Sequence, residues 1–334
     1  MTRTPQFQPD RRRSLGAVAA AGLTAAGLPA ARAQQVWPNK PIRIVVMGSP
    51  GGTTDPYARV FGEYIGRKLN TPVVVENKPG AGGTIMLDTL ARSAPDGYTF
   101  GVTTLTSVYG GRVLYRNIKY NADRDFVPLS MLPVGPLVMA VPTALPMNNA
   151  KDFIAFARAN PVTMASYGAA SVPHLMAEEF NKTHGTKITV AHYKGEGPMW
   201  MDVANNVAQV GVGSYVAISP HLARNGLKVL ATVGDERNPK LPQVKSFTEQ
   251  GFVGDIFRLS GGLVMLAVSG TPPEVMARIA DLMVEGAESE KSVAMRDAFA
   301  IDSRPSTMAI AKQRWKDESP LWIKMTEALG VRLD

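Results

Sequence analysis

Two hydrophobic periods alternate along this chain. Ile42, Ile44, Val45 and Val46 form a β-branched run, and Tyr57, Val60, Phe61, Tyr64, Ile65 and Leu69 then fall on one helical face, with Arg59, Glu63, Arg67 and Lys68 off it. This spacing predicts a strand over 42–46 and a helix over 56–69. Between them lies Met47-Gly48-Ser49-Pro50-Gly51-Gly52-Thr53-Thr54-Asp55-Pro56, in which Asp55 is expected to cap the helix and Pro56 to open it. The pattern repeats. Val73, Val74 and Val75 predict a strand, Gly80-Ala81-Gly82-Gly83-Thr84 a second glycine-rich loop, 84–93 a helix, and 98–104 a third strand with a loop at 103–107.

A second unit shows the same alternation. Strands are expected at 137–141, 162–167, 188–191, 207–212 and 227–233, and helices at 150–159, after Pro173, at 198–205 and at 217–224. In Gly168-Ala169-Ala170-Ser171-Val172-Pro173-His174, Ser171 reads as an N-cap with proline early in the helix. Pro239, Pro242 and Gly251 mark an irregular connector. A strand at 263–268 follows, and then helices that include Val275, Ile279, Leu282 and Met283 on one face, 292–300, and 307–329, the last expected to kink or split at Pro320. Strands alternating with helices imply an α/β protein with mainly parallel sheets.

The N-terminus changes the picture of the mature chain. Arg11-Arg12-Arg13, a small-residue apolar stretch over 15–30 and Ala31-Arg32-Ala33 have the order of an export signal, so residues 1–33 are expected to be removed before Gln34. Arg12-Arg13-Ser14-Leu15 is compatible with the twin-arginine (Tat) route, and the basic start equally with the general secretory (Sec) route. The formal charge of +8 then falls to about +4, because that segment holds five arginines and one aspartate. No basic run with interleaved aromatics exists, so nucleic acid is not an expected partner. The absence of cysteine excludes disulfides, thiolate metal sites and cysteine nucleophiles. An exported chain without disulfides fits a Gram-negative bacterial periplasm.

Chemistry concentrates in the loops. Glycine-rich turns between strand and helix present backbone N–H groups to an anion, and ligands of open parallel sheets bind at the carboxyl edge of the strands. The stretches 48–55, 80–84 and 103–107 could all lie there. Asp55 would repel an anion unless it caps its own helix. Lys194 is the one basic residue in an expected edge loop and can attract a second ligand carboxylate. Met47-Gly48-Ser49-Pro50-Gly51 is one residue away from a G-x-S-x-G nucleophile elbow, and His174, His184, His192 and His221 have no clear acid partner in sequence, so an exported hydrolase is the weaker alternative. His174 is read as a structural residue at a helix start, His192 and His221 as edge residues, and His184 as part of a turn. No metal-ligand spacing is present, and neither cofactor nor catalytic residue is expected.

Several blocks together carry a resemblance: 42–46 with Pro50-Gly51-Gly52-Thr53-Thr54-Asp55, Val73-Val74-Val75-Glu76-Asn77-Lys78-Pro79-Gly80-Ala81-Gly82-Gly83, Ala94-Pro95-Asp96-Gly97-Tyr98-Thr99, Ala157-Arg158-Ala159-Asn160-Pro161, Pro173-His174-Leu175, Tyr193-Lys194-Gly195 and Gly270-Thr271-Pro272. From about Trp37 onward the chain resembles the substrate-binding proteins of tripartite tricarboxylate transporters, the Bordetella uptake gene family. The resemblance implies a type II periplasmic binding fold: two α/β lobes, 34–137 with 258–334 and 138–257, joined by a two-crossing hinge near 137 and 257. It implies hinge closure on a small organic carboxylate held by two facing loops, and delivery to a cognate membrane permease by a monomer. A sensor of the same fold is an alternative. The matching positions are Gly48, Ser49, Gly51, Gly52, Thr53, Thr54 and Asp55 in one lobe and Gly168, Ala169, Ala170 and Ser171 in the other, with Thr104, Thr106, Tyr193, Lys194 and Ser214 around the rest of the ligand. Met47-Gly48-Ser49 departs from the prolines and phenylalanine frequent in relatives. Gly261-Gly262 stands where an aromatic is common. Gly213 stands where an aspartate is frequent, and its lack of an acid argues against amino-acid ligands.

Overall fold

β-Branched and apolar residues build two five-stranded sheets in a computed structural model that describes residues 1–2, 36–50, 53–258, 261–330 and 332–333. Residues 3–33 of the expected export segment lie outside the described residues, as do Gly51 and Gly52. All the elements belong to one unit, Pro38–Asp334.

In chain order the elements begin with β1 (Ile42–Val46), α1 (Thr54–Leu69), β2 (Val73–Asn77), a short 3-10 turn at Ala81–Gly83, α2 (Thr84–Ala91), β3 (Thr99–Thr104), α3 (Leu105–Leu114), α4 (Ala122–Asp125) and β4 (Phe126–Leu132). The second sheet follows with β5 (Val138–Pro142), α5 (Ala150–Ala159), β6 (Thr163–Ser166), α6 (Val172–His184), β7 (Thr189–His192), α7 (Glu196–Ala204), β8 (Val210–Gly213), α8 (Tyr215–Ala223) and β9 (Leu227–Thr232). The chain ends with α9 (Asp255–Arg258), β10 (Leu263–Val268), α10 (Pro273–Gly286), α11 (Glu290–Ala298) and α12 (Met308–Glu327).

The first sheet has the order β2-β1-β3-β10-β4 and the second β7-β6-β8-β5-β9. β1 pairs parallel with β2 and β3, as β6 does with β7 and β8. β10 runs antiparallel to β3 and β4, and β5 antiparallel to β8 and β9. Each sheet is therefore mixed: one reversed strand stands among four that share a direction. The reversed strand is in each case the one that arrives from the other sheet, and a strand entering from the far side has to run against its neighbours.

Four expectations are corrected. The 103–107 stretch is not simply a loop, since α3 begins at Leu105 with Thr104 as its N-cap, its side chain accepting from Ser107 N at 3.1 Å. Gly110 and Gly111 inside this helix hide it from a propensity reading. β4 is absent from the expected strands, because Pro128 breaks its pattern; it is an edge strand, where proline is tolerated. Thr53, not Asp55, precedes the first residue of α1, and Asp55 lies in the first turn. The last helix is continuous through Pro320.

The helices cover the first sheet in two groups, α1 with α10 and α11, and α3 with α2 and α12. Around the second sheet, Phe180, Phe247, Phe252 and Phe257 form a ring cluster with centroids 5.1–6.1 Å apart. This cluster ties the irregular 239–254 connector to α6. No described helix is long and apolar enough to cross a membrane.

Candidate functional site

In each sheet one strand lies between two parallel neighbours, β1 between β2 and β3 and β6 between β7 and β8. The loops after these strands therefore lie at the middle of each run of three parallel strands, on the carboxyl edge where a parallel sheet binds its ligand.

At the first edge, backbone packing is tight. A Cβ on Gly48 would stand 2.3 Å from Thr54 Oγ1, so only glycine fits. Asn77, the last residue of β2, donates through Nδ2 to Gly48 O at 2.8 Å and to Asp55 Oδ1 at 3.0 Å. Arg59 Nε donates to Asp55 Oδ2 at 2.9 Å. Asp55 is buried and its charge is met from its own helix and from β2. Thr54 Oγ1 is also buried but has no hydrogen-bond partner. Ser49 is exposed, and Thr53 is partly exposed.

The adjoining loops converge on the same place. The Met47 thioether lies 3.2 Å from Thr103 Oγ1, 3.3 Å from Thr104 N and 3.3 Å from Ser107 Oγ, and so walls the start of α3. Thr104 Oγ1 is 2.7 Å from Ser107 Oγ and accepts from Thr106 Oγ1 at 3.0 Å. Gly83, at φ +94°, brings the second glycine loop close enough that a Cβ there would meet Ser107 at 2.9 Å. The three expected loops thus gather at one edge.

At the second edge, a chain of hydroxyls and imidazoles supports the 168–171 loop. Ser166 Oγ donates to Gly168 O at 2.7 Å and lies 2.8 Å from Ser171 Oγ and 3.3 Å from His192 Nδ1. Ala170, held at φ +53°, donates its N–H to His174 Nδ1 at 3.1 Å. His174 and His192 meet edge to face with ring centroids 4.8 Å apart. Burial, and then the neighbouring His192, lowers the His174 pKa to about 4; burial also lowers that of His192. A neutral His174 is what lets Nδ1 accept. Ala169 is partly exposed between these anchored residues, and Lys194 is exposed. The Tyr193 hydroxyl is turned onto α7, where it donates to Asp202 at 2.9 Å.

Glu196 is the residue whose partner sequence reasoning misses. In sequence it is only one position of the loop 192–197, yet its Oε2 accepts from Ser214 N at 3.0 Å and from Ser214 Oγ at 2.5 Å. Burial raises its pKa. The one signal available is an acid between two glycines, Gly195 and Gly197, beside an expected ligand loop.

Contacts also run between elements of the two sheets. A Cβ on Gly110 of α3 would stand 3.1 Å from the Ala170 Cβ. Lys240 Nζ is 2.6 Å from Asp297 Oδ1 on α11, and Asn238 Nδ2 donates to Pro136 O at 3.3 Å. Tyr57 on α1 donates to Pro133 O, in the 133–137 segment between β4 and β5.

Residues 57–315 match the family described as tripartite tricarboxylate transporter family receptor. The chain is 30% identical over 317 residues to the protein BugT of Bordetella pertussis, with 93% of this chain and 96% of that one covered. Among solved structures, an R. palustris protein with adipate aligns at a TM-score of 0.80 and 26% identity, covering 89% of this chain and 99% of that one. The periplasmic binding protein BugD aligns at 0.77 and 26%, with the same coverage.

Proposed function

The chain belongs to the tripartite tricarboxylate transporter receptor family, and on that premise we propose that it is a periplasmic receptor that captures a small organic carboxylate by hinge closure and presents it to a membrane permease. The observation that carries this reading is the pair of small-residue loops, 47–55 and 168–171. Each follows the middle parallel strand of its sheet and each leads into a long helix, α1 of 16 residues and α6 of 13. Backbone N–H groups at such positions suit a carboxylate, and the buried Thr54 hydroxyl adds a donor.

We take 34–137 with 258–334 as one lobe and 138–257 as the other. Gly48, Ser49, Gly51, Gly52, Thr53 and Thr54 meet the carboxylate from the first, with Asp55 holding the loop to β2. Gly168, Ala169, Ala170 and Ser171 meet it from the second. Thr104, Thr106, Ser214 and Lys194 border the remainder of the ligand, and Tyr193 contributes its ring edge while Asp202 holds its hydroxyl. A ligand that touches both loops at once favours the closed form by that difference in contacts alone, and no bond is made or broken. The protein is not an enzyme on this reading: Ser49 belongs to the first edge, while His174 and His192 are engaged at the second.

A thermal-shift screen of the protein against mono-, di- and tricarboxylates, amino acids and aromatic acids tests this. A ligand at ~100 times its dissociation constant should add roughly 2.7 kcal/mol of stability. Ala169→Phe, at a partly exposed position of the second loop, should abolish that shift while the protein stays folded. A folded protein that no acid stabilises would contradict the reading.

A further inference from the structure

A cavity of about 840 Å³ opens beside β9, an edge strand of the second sheet. β5 is antiparallel to both β8 and β9, and β6 is parallel to β8, so β9 points the same way as β6. Residues 227–230, the early part of β9, line the cavity. It therefore lies away from the carboxyl edge that carries the 168–171 loop. Its other walls are the first turn of α5, the end of α8 and the connector over 241–250.

The walls are tied to one another. The connector meets β9 at Thr232, whose N donates to Lys245 O at 3.3 Å and whose O accepts from Phe247 N at 2.9 Å. That bridge, Thr232 to Ser246, is an isolated one, and the two chains part on either side of it. Buried Gln250 then links three sides: its Nε2 donates to Leu230 O at 2.9 Å and to Lys245 O at 3.1 Å, and its Oε1 accepts from Ala150 N at 2.8 Å. The cavity is thus pre-formed, and its volume falls in the ~300–1,000 Å³ range of small-molecule sites. The start of α5 is not itself the attraction, because Ala150 N is taken by Gln250 and Asp152 N by Asn149 Oδ1.

Charge is what sets this cavity apart. Lys151, Lys228 and Lys245 line it, and none of them has an acid partner among the described residues. Lys228 Nζ donates to Leu145 O at 2.7 Å, while Lys151 and Lys245 are exposed. The two acids of the lining are engaged elsewhere. Asp152 Oδ2 accepts from Asn148 N and Asn149 Nδ2, both at 2.9 Å, and Glu249 accepts from Arg237 Nη2 at 2.7 Å and from Ser246 N at 2.8 Å. Below the lysines, Leu222, Val229, Leu241 and Val244 present partly exposed aliphatic surface. A positive rim over an aliphatic wall complements a ligand with an anionic head and an apolar body.

We propose that this cavity is a second binding site and that it takes an amphipathic anion of the medium-chain fatty carboxylate kind. The head lies on Lys151, Lys228 and Lys245, and the chain runs along Leu222, Val229, Leu241 and Val244. The inference does not rest on the carboxylate-receptor reading: all the walls belong to the second sheet and its helices, and a ligand here leaves the 168–171 loop free.

The test is calorimetric titration with decanoate, butyrate and decanol. It uses the wild-type protein, the double variant Lys151→Glu, Lys245→Glu, and Ala169→Phe, each shown to be folded by a circular-dichroism melt. Decanoate should bind the wild type at least ~30-fold more tightly than butyrate, which lacks most of the apolar chain. It should bind at least ~10-fold more tightly than decanol, which lacks the charge. The double variant should lose at least ~10-fold in decanoate affinity, and Ala169→Phe should stay within ~3-fold of the wild type. Three results would overturn the assignment: no decanoate binding by the folded wild type, an affinity that the lysine reversals leave unchanged, or a loss confined to Ala169→Phe, which would place the fatty acid at the candidate site. Phosphatidylglycerol vesicles test the other source of the same chemistry. Sedimentation with vesicles that the lysine reversals abolish, without binding of free decanoate, would make this face a membrane contact and overturn the small-molecule site.

Discussion

His174 shows how one side chain ties loop geometry to pH. Its Nδ1 accepts the N–H of Ala170, a non-glycine residue held at positive φ, and it can do so only while neutral at that nitrogen. Its folded-state pKa is about 4, against an ordinary 6.5. The unfolded chain therefore takes up this proton first as pH falls. The stability tied to neutral His174 is fully present above pH 6.5 and is lost as the pH falls towards about 4. The full shift corresponds to about 3 kcal/mol, at about 1.4 kcal/mol per unit. Denaturant unfolding at pH 7 and pH 4.5, in the wild type and in His174→Gln, checks the sign and size. The wild type should lose about 2 kcal/mol more than the variant over that interval. Equal losses would remove His174 from the account.

The element that positions the first loop is a neighbouring strand, not the loop itself. Asn77 ends β2 and its single amide group holds both Gly48 O and Asp55 Oδ1. Asn77→Ala leaves the buried Asp55 with Arg59 among its described partners and Gly48 O without this donor. We expect a stability loss of about 2–3 kcal/mol, from one buried acceptor and one weakened carboxylate, together with a ligand affinity at least ~10-fold lower. Denaturation and calorimetry on the same sample read both; an unchanged affinity would mean that the loop holds its shape without β2. This coupling also marks the limit of what the sequence makes legible. The β1–α1 and β6–α6 units can be read directly, because β-branched runs, glycines and an amphipathic face agree. α3 is concealed by Gly110 and Gly111, and β4 by Pro128, because edge and packing context override local preference. Within the candidate site, the loops after β1, β2 and β6 can be located from their glycines and hydroxyls, whereas the expected loop after β3 is the start of α3. The Glu196–Ser214 pair cannot, because it joins residues 18 apart across two strand ends, and only the strand order makes them neighbours.

At the scale of the molecule, the two sheets are built to one plan. Reading β2-β1-β3-β10-β4 against β7-β6-β8-β5-β9 places β1 with β6 and the arriving strand β10 with β5. A closing motion about the crossings would bring the two central loops together, and the approach of Gly110 to Ala170 is where that motion can be arrested. The chain has no cysteine, so a new pair cannot mispair. The 3.1 Å separation of the two Cβ positions is shorter than the roughly 3.5–4.5 Å that a disulfide needs, so the lobes have to part by about half an ångström. In the double variant Gly110→Cys, Ala170→Cys, oxidation with bound carboxylate should slow ligand release at least ~10-fold, and a reductant should restore the wild-type rate. Oxidation before the ligand is added should slow binding to a similar degree, because a clamped cleft admits nothing. An oxidised protein that binds and releases ligand as fast as the reduced protein would show that access does not pass between α3 and the 168–171 loop, and the hinge mechanism would have to be abandoned.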